Sequence, residues 1–170
     1  GMKSSVPVAQ AAQEVFCPTT SGFGMSESWA FVASSHVSDS LEQRIEASGY
    51  PMYGIEFEIR DLETGESVAS DREGGLFVRG YTVTEGYWRK PEATAEVLSP
   101  DGWLDTGDIA KIRADGHVVF VGRHKDMLKV GGENVSPAEV EGYLLGLEGL
   151  EEVAVVSYPD DRLVQVPVAF

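Results

Sequence analysis

The sequence is poor in cysteine, in histidine and in positive charge, and each shortage narrows what the chain can be. A single cysteine, Cys17, in 170 residues leaves no intramolecular disulfide, and so no disulfide-stapled secreted scaffold. A reducing, cytoplasmic setting is the simplest expectation. Cys17 lies in V-F-C-P among apolar residues and reads as a small buried hydrophobe, not as a nucleophile. His117 and His124 stand in no ligand spacing with another histidine or with Cys17, so no zinc site is expected. Lys and Arg number 13 against 28 Asp and Glu, a net charge of -15, which disfavours nucleic acid and anionic membranes as partners. No apolar run approaches the roughly 20 residues of a membrane span, and no basic region precedes an apolar core, so neither a span nor a signal peptide is expected.

What is present is enough apolar residue, 42%, for an ordinary core. Residues 7–16 place Val8, Ala11, Ala12, Val15 and Phe16 at helical spacing, and Pro18 stops the run. In T-T-S-G-F-G-M-S-E-S, Gly22 and Gly24 flank Phe23, and Ser26 and Glu27 set a hydroxyl beside a carboxylate. By themselves these residues read as an ordinary Gly-rich turn; their alternative use is to stack a heterocycle on the ring while the hydroxyl meets phosphate and the carboxylate meets Mg²⁺. I-E-F-E-I-R at 55–60 alternates like a half-buried strand, and turns around Gly65 and Gly74 bracket further short strands. I-A-K-I-R and H-V-V-F-V-G are joined by Ala114-Asp115-Gly116, a hairpin turn. Pro91 and Thr94 open a short helix, with Tyr87 and Trp88 expected to pack beneath it.

Gly131-Gly132 then breaks the chain. Ser136 is the expected N-cap of a helix with Pro137 at its first position and Glu139 completing a capping box, running through Leu147 to Gly149. V-A-V-V-S at 153–157 reads as a buried strand, Y-P-D-D-R as a loop, and V-Q-V-P-V-A-F as a last strand. The expected fold class is β-rich α+β: a small distorted antiparallel β-barrel or sheet, then the start of a small α+β unit, joined near Arg123–Asp126.

Four stretches in order, G-F-G-M-S-E-S (22–28), G-L-F-V-R-G-Y with G-Y-W-R-K-P (75–91), W-L-D-T-G-D (103–108) and G-R-H-K-D-M-L-K-V-G-G-E-N-V-S-P-A-E-V-E (122–141), together resemble the adenylate-forming acyl-CoA synthetases. That family also takes in peptide-synthetase adenylation domains and firefly-type luciferases. The resemblance covers nearly the whole chain. It implies an ATP-dependent ligation in which a carboxylic acid is converted to an acyl-adenylate and then to a thioester of coenzyme A, with AMP, pyrophosphate and Mg²⁺ involved, as in fatty acid metabolism.

Carried over by motif, the resemblance places Phe23 against adenine, Ser26 at phosphate and Glu27 on Mg²⁺, where members more often show Tyr and Thr in place of Phe23 and Ser26. Asp108 of T-G-D would accept the ribose hydroxyls, a task suited to acceptor-only oxygens, and Arg123 would add a ribose or phosphate contact. Lys125 stands at the hinge between the family's large and small domains, and Lys129, Gly131 and Gly132 on the face used in the thioester step. Residues 1–123 would then be the end of the large N-terminal domain, including its β-barrel subdomain, and 124–170 an incomplete C-terminal lid domain. The Ser/Thr/Gly-rich phosphate loop and the C-terminal catalytic lysine of the family have no counterpart here, which implies a fragment, inactive in isolation and able to self-associate through exposed surfaces. The G-G-E-N-V-S-P form resembles acyl- or aryl-CoA ligases. A peptide-synthetase adenylation fragment, or a non-catalytic nucleotide-binding or interaction module on this fold, remains the alternative.

Overall fold

A computed structural model describes residues 6–170. The chain divides into two compact units, Gly1–Phe120 and Val121–Phe170. The architecture is mixed and strand-rich, with three antiparallel sheets and four short α-helices among the described residues.

In the first unit, α1 (Val6–Val15) leads to a three-stranded sheet of β1 (Gly22–Met25), β2 (Ala30–Ser34) and β3 (Tyr50–Pro51), with α2 (Leu41–Glu46) between the last two strands. β4 (Ile55–Arg60), β5 (Gly74–Gly80), β6 (Leu104–Ile112) and β7 (Val118–Arg123) form a four-stranded sheet in chain order, with α3 (Pro91–Val97) inserted before β6. This sheet is open, the sheet alternative of the expected barrel or sheet: among the described residues β4 and β7 are its two outer strands and do not pair with each other.

The alternation in I-E-F-E-I-R does what its period requires. Ile55, Phe57 and Ile59 turn to the core, with Phe57 opposite Val78 and Ile59 opposite Leu76 on β5. On the other face Glu56 lies opposite Arg79 and pairs with it at 2.7 Å, while Arg60 bridges Glu58 at 2.5 Å. The Arg79 and Arg60 guanidinium carbons stand 4.6 and 5.3 Å from the centre of the Trp103 ring, a cation–π arrangement that covers the apolar indole with charge. Gly74 is the first residue of β5, not part of a turn; a Cβ there would meet the Arg60 carbonyl oxygen at 2.3 Å, so the glycine lets the two backbones close up.

α2 is capped reciprocally: the Gln43 N–H donates to Ser40 Oγ at 3.2 Å and the Ser40 N–H to Gln43 Oε1 at 2.9 Å. The Gln43 amide then reaches Asp115 Oδ2 at 3.1 Å, in the turn between β6 and β7. Next to it His117 is fully buried, its Nδ1 3.1 Å from Asp115 Oδ1, its Nε2 3.5 Å from Asp39 Oδ2, and its ring 4.0 Å from that of Tyr50. This cluster fastens the 36–50 segment to the β6–β7 hairpin.

Cys17 is exposed, contrary to expectation. The end of α1 is held by polar contacts, Gln13 to the Thr19 carbonyl and Arg44 to both Gln13 and Thr19, so Val15, Phe16 and Cys17 face outward.

The second unit carries β8 (Leu128–Val130), β9 (Glu133–Val135), α4 (Pro137–Leu144), β10 (Val155–Asp160) and β11 (Val164–Ala169), in the sheet order β10-β11-β8-β9. Ser136 caps α4, accepting from the Glu139 N–H at 3.4 Å and donating to the Val121 carbonyl at 3.1 Å. The helix stops at Leu144, short of the expected Leu147, and Leu147 is exposed. β10 begins at Val155 and continues through Tyr158-Pro159-Asp160, so the expected loop shortens to the hairpin turn at 161–163; of the expected buried run, Val155 is buried and Val156 exposed.

Candidate functional site

The Gly-flanked stretch is a strand, not a turn. β1 pairs with β2 with a shift between Phe23 and Gly24, and the Phe23 ring, 9% exposed, packs edge-on to Phe57 at 6.3 Å and stacked on Phe120 at 6.4 Å. The aromatic side chain is therefore part of the core, and Gly22 lets β2 close against the strand, since a Cβ there would meet the Phe31 ring at 2.8 Å. The tight turn follows, a 3₁₀ segment at Ser26–Ser28 closed by Trp29 in the left-handed region (φ 55°). Buried Ser28 ties the turn down through its hydroxyl, bonded to the Met25 N–H and carbonyl. That leaves Ser26 exposed and Glu27 half-buried at the tip.

Glu27 is gripped from a distant part of the chain. Its carbonyl accepts from the Thr84 N–H at 2.7 Å, and its Oε1 accepts from the Tyr87 hydroxyl at 2.8 Å. Tyr87 is in turn fixed by its N–H to Thr94 Oγ1 at 2.9 Å, and Thr94 Oγ1 donates to the Lys90 carbonyl at 2.9 Å. Gly86 makes this fit possible: its φ is +136°, and a Cβ there would sit 2.6 Å from Thr94 Cγ2. The hydrogen bond to the Glu27 carboxylate, then burial, pushes the Tyr87 phenol above its ordinary value. Tyr87 and Trp88, expected as packing residues, are 37% and 84% exposed; Tyr87 is a polar contact of the candidate site that sequence reasoning missed.

Asp108 is 3% exposed and occupies an irregularity in β6. Gly75 pairs with Ile109 and Phe77 with Asp105, so Thr106, Gly107 and Asp108 all stand opposite Leu76. Bulges of this kind re-aim a side chain beside a site. Here the geometry is fixed by the Thr106 hydroxyl, which donates to the Leu76 carbonyl at 2.8 Å and accepts from the Asp108 N–H at 3.1 Å, and by Asp105 Oδ1, which accepts from the Gly107 N–H at 2.9 Å. Asp108 lies two residues before Ala110, a member of the core cluster that contains Phe23.

The remaining candidates belong to the second unit. Arg123 ends β7, and Lys125 lies exposed in the one-turn 3₁₀ segment His124–Asp126. Lys129 and Asn134 are cross-strand neighbours on the β8–β9 hairpin and hydrogen-bond through their side chains, while the Lys129 N–H donates to Gln165 Oε1 at 2.7 Å. Gly131 and Gly132 form the two-residue turn with φ of 59° and 94°, the positive pair that such a tight turn demands.

As a cation ligand Glu27 offers one carboxylate with a hydroxyl next to it. Among the described residues no group of three or more His, Cys, Asp or Glu is placed to hold a metal. That donor set fits Mg²⁺, which takes one or two carboxylates and fills its shell with water and substrate phosphates.

A family model described as AMP-binding enzyme matches residues 1–88, more than half of the 170. The chain belongs to the AMP-binding enzyme family. The matched span contains Phe23, Ser26, Glu27 and Tyr87, and relatives of the family extend the likeness past Asp108 to the second unit. A 4-coumarate–CoA ligase-like protein of Oryza sativa is 40% identical over 151 residues, covering 88% of this chain and 27% of that protein. The 2-succinylbenzoate–CoA ligase of Geobacillus kaustophilus is 37% identical over 164 residues, covering 96% of this chain and 33% of that enzyme. Among solved structures, the o-succinylbenzoate coenzyme A synthetase of Bacillus subtilis in complex with ATP and magnesium ion superposes with a TM-score of 0.88 at 27% identity, over 99% of this chain and 34% of that one. The chain thus spans about a quarter to a third of the length of the relatives it matches.

Proposed function

We propose that the chain supplies one half of the nucleotide site, and the beginning of the thioester-step surface, of an ATP-dependent, AMP-forming carboxylate–CoA ligase. In that reaction a carboxylate oxygen attacks the α-phosphorus of ATP and pyrophosphate leaves. The thiol sulfur of coenzyme A then attacks the acyl carbon, AMP leaves, and the thiol proton passes to solvent or a base. Adenylation makes a poor acyl donor a good one by attaching a leaving group of low basicity, and the protein's contribution is to bind the charge that develops.

The observation that carries this reading is Asp108, a buried carboxylate in the T-G-D motif, held in a β-bulge two residues before Ala110 of the core cluster that contains Phe23. Its acceptor-only oxygens suit the two ribose hydroxyls. Phe23 lies against adenine through the backbone of its strand, its ring being buried in the core. Ser26 meets phosphate, Glu27 holds Mg²⁺, whose charge offsets that of the phosphates, and Arg123 adds a ribose or phosphate contact. Lys125 is the hinge residue, and Lys129 with Gly131 and Gly132 faces coenzyme A. Residues 124–170 belong to the lid domain and those before them to the end of the large domain. The single cysteine supports a reducing, cytoplasmic setting; among the described residues no helix is long and apolar enough to cross a membrane. Exposed Trp29, Phe31 and Tyr53 support self-association of the chain in isolation.

Titration calorimetry with AMP tests the central assignment. Asp108→Ala removes hydrogen bonds to a charged acceptor and lowers AMP affinity about tenfold or more; equal affinity in both proteins contradicts the role given to Asp108.

A further inference from the structure

A glutamate at the tip of a turn has three side-chain torsions and would ordinarily sample several positions, at an entropic cost whenever a ligand fixes it. Glu27 is held in one. The donor is the hydroxyl of Tyr87, 60 residues away in sequence, at 2.8 Å from Oε1. The same peptide that carries Glu27 is tied by its carbonyl to the Thr84 N–H, so residues 84–87 grip both the backbone and the side chain. Behind them stands a brace: Thr84 Oγ1 accepts from the Gly86 N–H at 3.2 Å, the Tyr87 N–H reaches Thr94 on α3, and Thr94 reaches back to Lys90. Packing does not account for this arrangement, because the Tyr87 ring is exposed and the atom that makes the contact is the hydroxyl.

We propose that Tyr87 is the positioning residue for Glu27, its phenol fixing one carboxylate oxygen so that the other, Oε2, meets the cation that accompanies the nucleotide phosphates. The inference rests on the proposed function, which makes Glu27 the cation ligand, and it adds the residues that orient that ligand. Hydrogen bonds from outside the coordination shell orient ligating carboxylates, and their loss typically lowers metal affinity about 10- to 100-fold.

The test is a titration of Mn²⁺ in the presence of ATP, following the free-ion signal by electron paramagnetic resonance, on the wild-type chain, Tyr87→Phe and Glu27→Gln. Binding of AMP without metal is measured in parallel. Tyr87→Phe keeps the ring and deletes the hydroxyl. The expected result is Mn²⁺ affinity about tenfold lower or more in Tyr87→Phe, with metal-free AMP affinity unchanged. Mn²⁺ affinity unchanged in Tyr87→Phe but lost in Glu27→Gln overturns the positioning role while leaving Glu27 as the ligand. An equal loss of Mn²⁺ and AMP binding in Tyr87→Phe also overturns it, because the residue would then act on the fold. No effect in Glu27→Gln removes the cation assignment itself, and the positioning role with it.

Discussion

Asp115 sits in the β6–β7 turn with Gln43 on one side and the buried imidazole of His117 on the other. Burial by itself pushes its carboxyl up, but the Gln43 amide, the His117 N–H and the His117 ring outweigh this and bring it from 3.8 to about 2. A carboxyl with a depressed folded value stabilises the fold above its unfolded value, and that contribution is lost as the pH falls through the folded value. Asp115→Asn is therefore expected to melt below wild type near neutral pH, with the difference closing between 3.8 and about 2. A gap in melting temperature that stays constant across that window contradicts the cluster as described. At this scale the T-G-D and G-M-S-E stretches stand out only as part of four collinear stretches, because G-F-G-M-S-E by itself has the composition of an ordinary Gly-rich turn. Tyr87 does not stand out: a Tyr-Trp pair before a helix has the composition of packing residues, and its partner lies 60 residues upstream, beyond any local period. The position of Asp108 in a bulge was equally hidden, since the bulge exists only by pairing with β5.

Elements with a strong local signal were readable from the sequence. The period-2 alternation of β4, the Ala114-Asp115-Gly116 hairpin turn and the Ser136-Pro137 start of α4 all appear where the pattern places them. α2 went unread although S-L-E-Q at 40–43 carries the capping-box spacing, because a six-residue helix has too little apolar period to stand out. β1 was obscured by its glycines, which weaken a strand intrinsically and are tolerated here by pairing with β2. Two substitutions test the element-level account by urea unfolding. Leu76 is fully buried opposite Ile59, so Leu76→Ala is expected to cost about 2–5 kcal/mol, and a cost below about 1 kcal/mol would mean the β4–β5 core is misassigned. Ser136 caps α4 and is buried, so Ser136→Ala is expected to cost about 1 kcal/mol, confined to the second unit.

The whole molecule is two compact units, acidic by 15 charges, spanning about a quarter to a third of its relatives' length. The open sheet of the first unit was not separable from a barrel by pattern, because strand alternation is the same in both and closure depends on how the edges meet. In the proposed function the transition state of adenylation needs charge-stabilising groups beyond those on this chain, so carboxylate-dependent pyrophosphate release is expected to be absent for the chain alone; steady turnover would show that these residues suffice. The most direct measurement of the central claim is a titration of AMP into the ¹⁵N-labelled chain, followed by the backbone amide signals. The account predicts saturable shifts concentrated at residues 22–28 and 105–108. Saturable binding that leaves both stretches unmoved, or no binding at all, would contradict it.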